Sequence, residues 1–272
     1  MELQGRPFWK MTGSGNDFVF IDARSESPGM LEGAEAIDAL CDRRRGVGAD
    51  GVVFLERDPE HAYGIRYFNR DGSLAEFCGN ASLCSVRLAV ELGIVQPGER
   101  FTFLTSSGAI PGRFGADGPE VGMPVVADAD PAFEASLETG ERRIGFARVG
   151  VPHLVVGCDD VDLVDVENRG KALRFHPSLR AGANVNFVSR RGSGWTYRTY
   201  ERGVEEETLA CGSGSVAAAA MLVAWDGEPA PVTFITRSGA PLTVSFENGV
   251  PALAGEGRLV FQGQLRDVIP AY

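Results

Sequence analysis

The sequence predicts an α+β fold built twice over, and three observations carry that prediction. Short strand-like stretches outnumber helix-like ones. No regular alternation of strand and helix runs along the chain, which argues against a doubly wound sheet. Two segments separated by about 130 residues echo each other block by block, the mark of duplicated domains rather than a solenoid.

The echo has matched parts in matched order. In the first half, Arg66–Asn69 (RYFN) precedes Cys78-Gly79-Asn80-Ala81-Ser82, an apolar run from Leu83 to Leu92, and FTFLTSSGAI at Phe101–Ile110. In the second, Arg198–Glu201 (RTYE) precedes Cys211-Gly212-Ser213-Gly214-Ser215, an alanine-rich run from Val216 to Val223, and VTFITRSGAP at Val232–Pro241. Each Cys-Gly is followed by good helix formers, so each half is expected to hold one prominent helix starting there. Strands are expected at Phe18–Asp22, Val52–Leu55, Ile65–Phe68 and Phe101–Thr105, then at Leu154–Val156, Asn186–Val188, Thr196–Tyr200, Val232–Thr236 and Leu242–Phe246. A further amphipathic helix fits Glu32–Arg43, and the Gly/Pro-rich stretch Gly112–Pro131 reads as the crossover between halves.

Composition narrows the class. The chain has 272 residues, 44% of them apolar and 23% charged, enough apolar material for a sizeable core. No apolar run approaches the roughly 18 residues of a membrane span. The first ten residues, MELQGRPFWK, lack the basic and apolar blocks of a signal peptide. A net charge of −11, with basic residues scattered except at Arg43–Arg45, argues against a nucleic-acid partner. These features predict a cytoplasmic protein acting on a small molecule, with neither membrane nor nucleic acid as partner.

Five cysteines without regular spacing read as reduced thiols rather than a disulfide framework. No Cys-x-x-Cys pair occurs, and His61, His153 and His176 lie far from any cysteine pair, so no metal site is expected. Cys41, Cys84 and Cys158 read as small buried hydrophobes. Cys78 and Cys211 stand apart, because each opens a helix beside a glycine. The first turn of a helix offers N–H groups without intrahelical partners and a partial positive charge, which attract a carboxylate. The same field favours a thiolate over a thiol.

Two such thiols on opposite sides of one ligand suit inversion of a C–H centre. One thiolate removes the proton and the opposing thiol returns one to the other face. Pyridoxal phosphate would need a Schiff-base lysine, and neither Lys10 nor Lys171 sits in a phosphate-cradling motif, so cofactor-free chemistry is expected. Helix N-termini would then stabilise charge developing on the carboxylate.

These residues belong to a longer set of motifs: Gly13–Asp22 (GSGNDFVFID), Arg44–Gly51 (RRGVGADG), Asn69–Asn80 (NRDGSLAEFCGN), Pro152–His153, Asn184–Val188 (NVNFV) and Tyr200–Gly214 (YERGVEEETLACGSG). As a set they resemble the diaminopimelate epimerases, cofactor-independent two-base isomerases of lysine and peptidoglycan precursor synthesis, along most of the chain. The resemblance implies two similar α+β domains, each a curved mixed sheet or barrel around a central helix, with the active site in the interdomain cleft. Residues 1–120 with 260–272 would form the domain carrying Cys78, and 121–259 the domain carrying Cys211.

The resemblance also implies roles. Cys78 and Cys211 would be the acid and base, exchanging roles with the stereoisomer bound. His153 and Glu201 would modulate the two thiols. Gly79, Asn80, Gly212 and Ser213 would meet the carboxylate at the reacting centre, while Asn16, Asn69, Asn184, Glu201 and Arg202 would hold the amino groups and the distal end. A homodimer is implied as well.

The chain departs from the usual pattern in places. Ala81 and Leu83 stand where the first cysteine motif normally has Gly and Arg, Val151 replaces the asparagine before Pro152, and one extra residue separates Arg202 from Cys211. Epimerisation of LL-diaminopimelate to the meso form is the first reading, and Val151 keeps a racemase of another amino acid as the alternative. A binding protein without catalysis is a third reading, and it predicts indifference to loss of either cysteine.

Overall fold

The computed structural model describes residues 5–75 and 77–266. They fall into two units. One takes in the chain up to Val121 together with the stretch from Glu256 onward, and the other is Gly122–Gly255. The first half contributes β1 (Arg6–Gly13), β2 (Asn16–Asp22), β3 (Gly51–Glu56), β4 (Gly64–Asn69), β5 (Arg100–Thr105), β6 (Gly108–Gly115) and β7 (Gly118–Gly122), with helices α1 (Ala34–Cys41) and α2 (Gly79–Glu91). The second contributes β8 (Val126–Asp130), β9 (Glu141–Val149), β10 (Val151–Cys158), β11 (Asn184–Arg191), β12 (Gly194–Tyr200), β13 (Glu207–Thr208), β14 (Val232–Ile235), β15 (Pro241–Glu247) and β16 (Val250–Gly255), with α3 (Val166–Arg174) and α4 (Gly212–Asp226). A last strand, β17 (Arg258–Leu265), joins the first unit.

In the first unit the strands pair in the order β17, β1, β2, β3, β4, β5, β6, β7. The pairs β2–β3 and β4–β5 are parallel and the others antiparallel. In the second unit the order is β8, β9, β10, β11, β12, β14, β15, β16. Here β10–β11 and β12–β14 are parallel and the rest antiparallel. Antiparallel and parallel steps therefore follow one another in the same sequence in both units.

Each sheet curls about one helix. Helix α2 packs on β17, β1 and β2 and also on β6. Strands β1 and β6 are five positions apart, about 24 Å in a flat sheet at ~4.8 Å per strand, too far for one helix to touch both unless the sheet bends. In the second unit α4 likewise touches β8 through β11 and also β15 and β16. Both helices are buried almost all round, with Ala81–Val86 and Gly214–Ala219 inaccessible, as expected of a central helix rather than an amphipathic surface one. Alanine, serine and glycine on α4 let the strands approach closely.

The expected Gly112–Pro131 crossover contains the passage from the first unit to the second, after Val121, but it is strand rather than loop: the stretch holds the end of β6, all of β7 and all of β8. Glycines and prolines in it and just before it serve strands. Gly108 and Gly118, at φ 106° and 115°, adjoin the two hairpin turns. Pro111 and Pro119 occupy strand positions opposite Thr102 and Phe114. The helix expected over Glu32–Arg43 is shorter, Ala34–Cys41, because Gly33 is extended (φ −70°, ψ 142°) and separates it from a 3-10 turn at Gly29–Glu32. Among the described residues no helix is long and apolar enough to cross a membrane.

Candidate active site

Cys78 is the N-cap of α2. Its backbone is extended (φ −140°, ψ 111°), and its Sγ accepts a hydrogen bond from the Ala81 N–H at 3.5 Å. A cap residue must take an extended conformation so that its side chain can turn back on the first helical turn. Here sulfur plays the part usually taken by a serine or aspartate oxygen. Gly79 and Asn80 form the first turn, and both are buried. Cys78 also lines a small open pocket with Tyr67, Phe77, Ala81, Ser82 and Thr105. The methyl of Ala81 thus faces the pocket, and Leu83 is wholly buried in the unit's core.

A polar chain fixes the start of α2. Asn80 Nδ2 donates to Asn16 Oδ1 at 2.7 Å, and Asn16 Nδ2 donates to Asp50 Oδ2 at 3.2 Å. A carboxylate only accepts, so the Asn16 amide is oriented with its nitrogen toward Asp50 and its oxygen toward Asn80. Asn80 must then present its own oxygen away from Asn16, and that Oδ1 is buried without a hydrogen-bond partner among the described residues. Behind Asp50 stands an ion cluster. Arg43 donates to both oxygens of Asp17 and to Asp50 Oδ1, each at 2.8 Å, and Lys10 donates to Asp17 Oδ2 at 2.6 Å and to the Gly48 carbonyl. Burial alone would raise the Asp17 pKa, but the bonds from Arg43 and Lys10 hold it down at about 2. Asn69 ends β4 opposite Gly51, and its side chain donates to Ser73 Oγ at 3.0 Å within a turn.

In the second unit Cys211 is the N-cap of α4 in a similar extended conformation (φ −129°, ψ 114°), with Gly212 and Ser213 in the first turn. Its surroundings differ from those of Cys78. Its Sγ lies 3.6 Å from Ser213 Oγ, and its thiol interacts with the Glu201 carboxyl. Burial raises the Glu201 pKa, an effect partly offset by the bonds from Thr208 and Cys211, and Thr208 Oγ1 donates to Oε1 at 2.5 Å. Glu201 and Arg202 follow directly on β12. The Arg202 N–H donates to Asn184 Oδ1 at 2.7 Å, and its guanidinium reaches the Ala181 carbonyl at 3.3 Å.

His153 lies on β10 opposite Asn184 of β11 and is fully buried. Burial, with the positive charge of Arg202, lowers its pKa to about 3, so the ring is neutral at physiological pH. Its Nδ1 lies 3.3 Å from Asn186 Nδ2, and its Nε2 has no partner among the described residues. Val151 begins β10 two residues earlier, so the side chain that replaces the usual asparagine brings no amide to this edge.

The expected residues thus gather in two groups. Asn16, Cys78, Gly79 and Asn80 cluster in the first unit with Asn69 at a strand end, and His153, Asn184, Glu201, Arg202, Cys211, Gly212 and Ser213 cluster in the second. Asp17, Asp50, Asn186, Tyr197 and Thr208 were not anticipated. All but Tyr197 lay inside quoted motifs, which was their only signal. The remaining thiols fit a packing role: burial pushes Cys41 up to about 11, Cys158 up to about 12 and Cys84 well above the usual thiol range. Among the described residues no group of three or more His, Cys, Asp or Glu side chains converges to hold a metal ion.

Comparison with known proteins gives a consistent picture. A family model described as "Diaminopimelate epimerase" matches residues 8–130 and 145–259. The chain is 46% identical to the diaminopimelate epimerase of Gemmatimonas aurantiaca, covering 95% of this chain and 98% of that one. It is 39% identical to that of Aquifex aeolicus, over 97% and 99% of the two chains. Among solved structures, a PhzF-family phenazine biosynthesis protein of Bacillus anthracis has the same fold at TM-score 0.74 and 13% identity, with 96% and 98% coverage. A hydroxyproline epimerase of Agrobacterium vitis, with bound trans-4-hydroxy-L-proline, matches at TM-score 0.69 and 16% identity, with 98% and 94% coverage.

Proposed function

The chain belongs to the diaminopimelate epimerase family, and from that premise we propose that Cys78 and Cys211 interconvert LL- and meso-diaminopimelate by two-base proton transfer. The observation that carries the reading is the contrast between two cysteines that occupy equivalent positions. Each caps a buried helix, yet Cys78 Sγ accepts a backbone N–H while Cys211 interacts with the Glu201 carboxyl. An N–H donor favours the anionic sulfur, and a carboxylate acceptor favours the protonated one. One resting thiolate and one resting thiol are what a two-base inversion requires.

In this mechanism the Cys78 thiolate takes the α-proton, forming an S–H bond as the C–H pair moves onto the α-carbon and its carboxylate. The Cys211 S–H then breaks and delivers its proton to the opposite face, leaving a thiolate there. Entry of the other stereoisomer reverses the roles. The first-turn N–H groups at Gly79–Asn80 and Gly212–Ser213 would receive the carboxylate as negative charge grows on it. Arg202 offers a fork for the distal carboxylate, with Asn16, Asn69 and Asn184 as polar partners. This assignment requires the two units, as duplicated domains, to present their cysteines to one cleft, and the repeated order of strand pairings supports the duplication. Residues 1–120 with 260–272, and 121–259, are our domain assignment, and a homodimeric cytoplasmic enzyme is the form we propose.

The test is stereochemical. Purified protein incubated with LL-diaminopimelate, with no added cofactor, should yield the meso isomer until both are present at equilibrium. Recovery of the LL isomer alone from a folded sample overturns the reading. A racemase of another amino acid is the second reading, favoured by Val151, and a panel of amino acids in deuterated water separates the two by which α-carbon gains deuterium.

A further inference from the structure

We propose that Asn186 is a positioning residue that fixes His153 as the imidazole tautomer protonated on Nε2, making the buried ring a hydrogen-bond donor at that nitrogen rather than a proton-accepting base. The inference rests on the proposed epimerase reading for its consequence, but not for its geometry.

The Asn186 amide can sit only one way round. Its Oδ1 accepts from Tyr197 OH at 2.8 Å and from Thr199 Oγ1 at 3.0 Å, and its Nδ2 donates to the Leu154 carbonyl at 2.9 Å. A carbonyl only accepts, so a reversed amide would set two oxygens against each other. The same Nδ2 lies 3.3 Å from His153 Nδ1. With one hydrogen given to Leu154, the other is directed at the ring, and Nδ1 must accept it. A neutral imidazole accepting at Nδ1 carries its proton on Nε2. That Nε2 is buried and partnerless among the described residues, so its N–H is held ready for an anionic or carbonyl acceptor. Protonating Nδ1 as well would aim two donors at one another, which agrees with the low pKa of this ring.

Asn186 also meets the helix that carries Cys211. Tyr197 OH, besides bonding Asn186, lies 3.2 Å from the Cys211 carbonyl oxygen. A Cβ on Gly214 would fall 2.2 Å from Asn186 Oδ1 and 2.4 Å from Tyr197 OH, so glycine is required where α4 passes over this pair. The orientation of His153 and the seat of Cys211 therefore depend on the same buried amide.

The experiment is nitrogen NMR of protein labelled with ¹⁵N in its histidine rings, the His153 signals being assigned by their loss in His153→Gln. The expected spectrum shows a protonated Nε2 and a bare Nδ1, unchanged from about pH 5 to 8. A proton on Nδ1, or on both nitrogens, overturns the proposal, and this arm needs no other variant. In Asn186→Asp, a carboxylate oxygen replaces Nδ2 and should draw the proton to Nδ1, with kcat falling about tenfold or more while KM changes less. A folded Asn186→Asp protein that keeps the Nε2 tautomer also overturns it. Epimerisation by a protein with the Nδ1 tautomer sinks this inference alone, and the Nε2 tautomer in a protein that moves no α-proton sinks only the proposed function.

Discussion

Asn80 Nδ2 donates to Asn16 Oδ1 at 2.7 Å, and that bond decides which end of the Asn80 amide is left to face away from Asn16. The orientation is inherited from Asp50 through Asn16 and amounts to a buried acceptor oxygen at the start of α2. Replacing Asn16 with Ala frees the Asn80 amide to rotate. Loss of one buried hydrogen-bond partner costs about 1–3 kcal/mol, which is about five- to 150-fold in an equilibrium or rate. Steady-state kinetics of Asn16→Ala should therefore show kcat/KM lowered by at least about fivefold. Wild-type kinetics in this variant would show that the chain from Asp50 to Asn80 has no part in the site.

The five thiols should differ in reactivity. Iodoacetamide at neutral pH, followed by peptide mapping, should label Cys78 first, because it is half-buried, lines an open pocket and accepts an N–H on sulfur. Cys211 should follow more slowly, and Cys41, Cys84 and Cys158 only on unfolding. Faster labelling of Cys211 than Cys78 would reverse the assignment of resting thiolate and thiol.

Gly214→Ala should be among the most damaging single-methyl additions. The new carbon meets buried polar atoms of Asn186 and Tyr197 that have nowhere to retreat. Overpacking of this kind costs about 1–3 kcal/mol, and chemical denaturation should register it. Gly227→Ala makes a control: it sits at the far end of α4 at φ 62° with no neighbouring atoms near the added carbon, so its cost is local backbone strain, and activity should persist.

Acid should weaken the fold through His153. The unfolded chain binds a proton there near pH 6.5, while the folded chain declines it until about pH 3. Between those values the unfolded state holds more protons, so stability falls as pH falls, by about 1.4 kcal/mol per unit at most. Urea unfolding at pH 6.5 and pH 5 should show wild type losing about 1.6 kcal/mol more than His153→Gln over that interval. Equal slopes would mean that the ring is solvated and not buried neutral.

The parts of this molecule that were legible in the sequence are those governed by local pattern. Cys78 and Cys211 announced two helix starts because a Cys-Gly followed by helix formers has few other uses, and both helices begin at the following glycine. Strands β3, β4 and β11 were visible as apolar runs. Strands β7 and β8 were not, because Pro119, Gly118 and the acidic run near Asp128–Asp130 look like loop residues until a pairing partner defines them. Strand β17, with Val260 and Phe261 exposed, has no clean alternation to read and is set by its register on β1. Within the candidate site the sequence named the cysteines and the residues beside them, but not Asp50 or Asn186. Those two meet the Asn16 amide and the His153 ring across 34 and 33 residues of chain, which no local pattern reveals.

The most direct test of the central claim is the position of deuterium early in the reaction. LL-diaminopimelate and enzyme are mixed in deuterated water, the reaction is stopped at low conversion, and the isomers are separated and weighed by mass spectrometry. Two single-proton thiols acting from opposite faces predict deuterium at the inverted carbon of the meso product and none in the LL substrate that remains. Deuterium accumulating in the recovered LL substrate as fast as in the product would show one base serving both faces, and would contradict the paired action of Cys78 and Cys211.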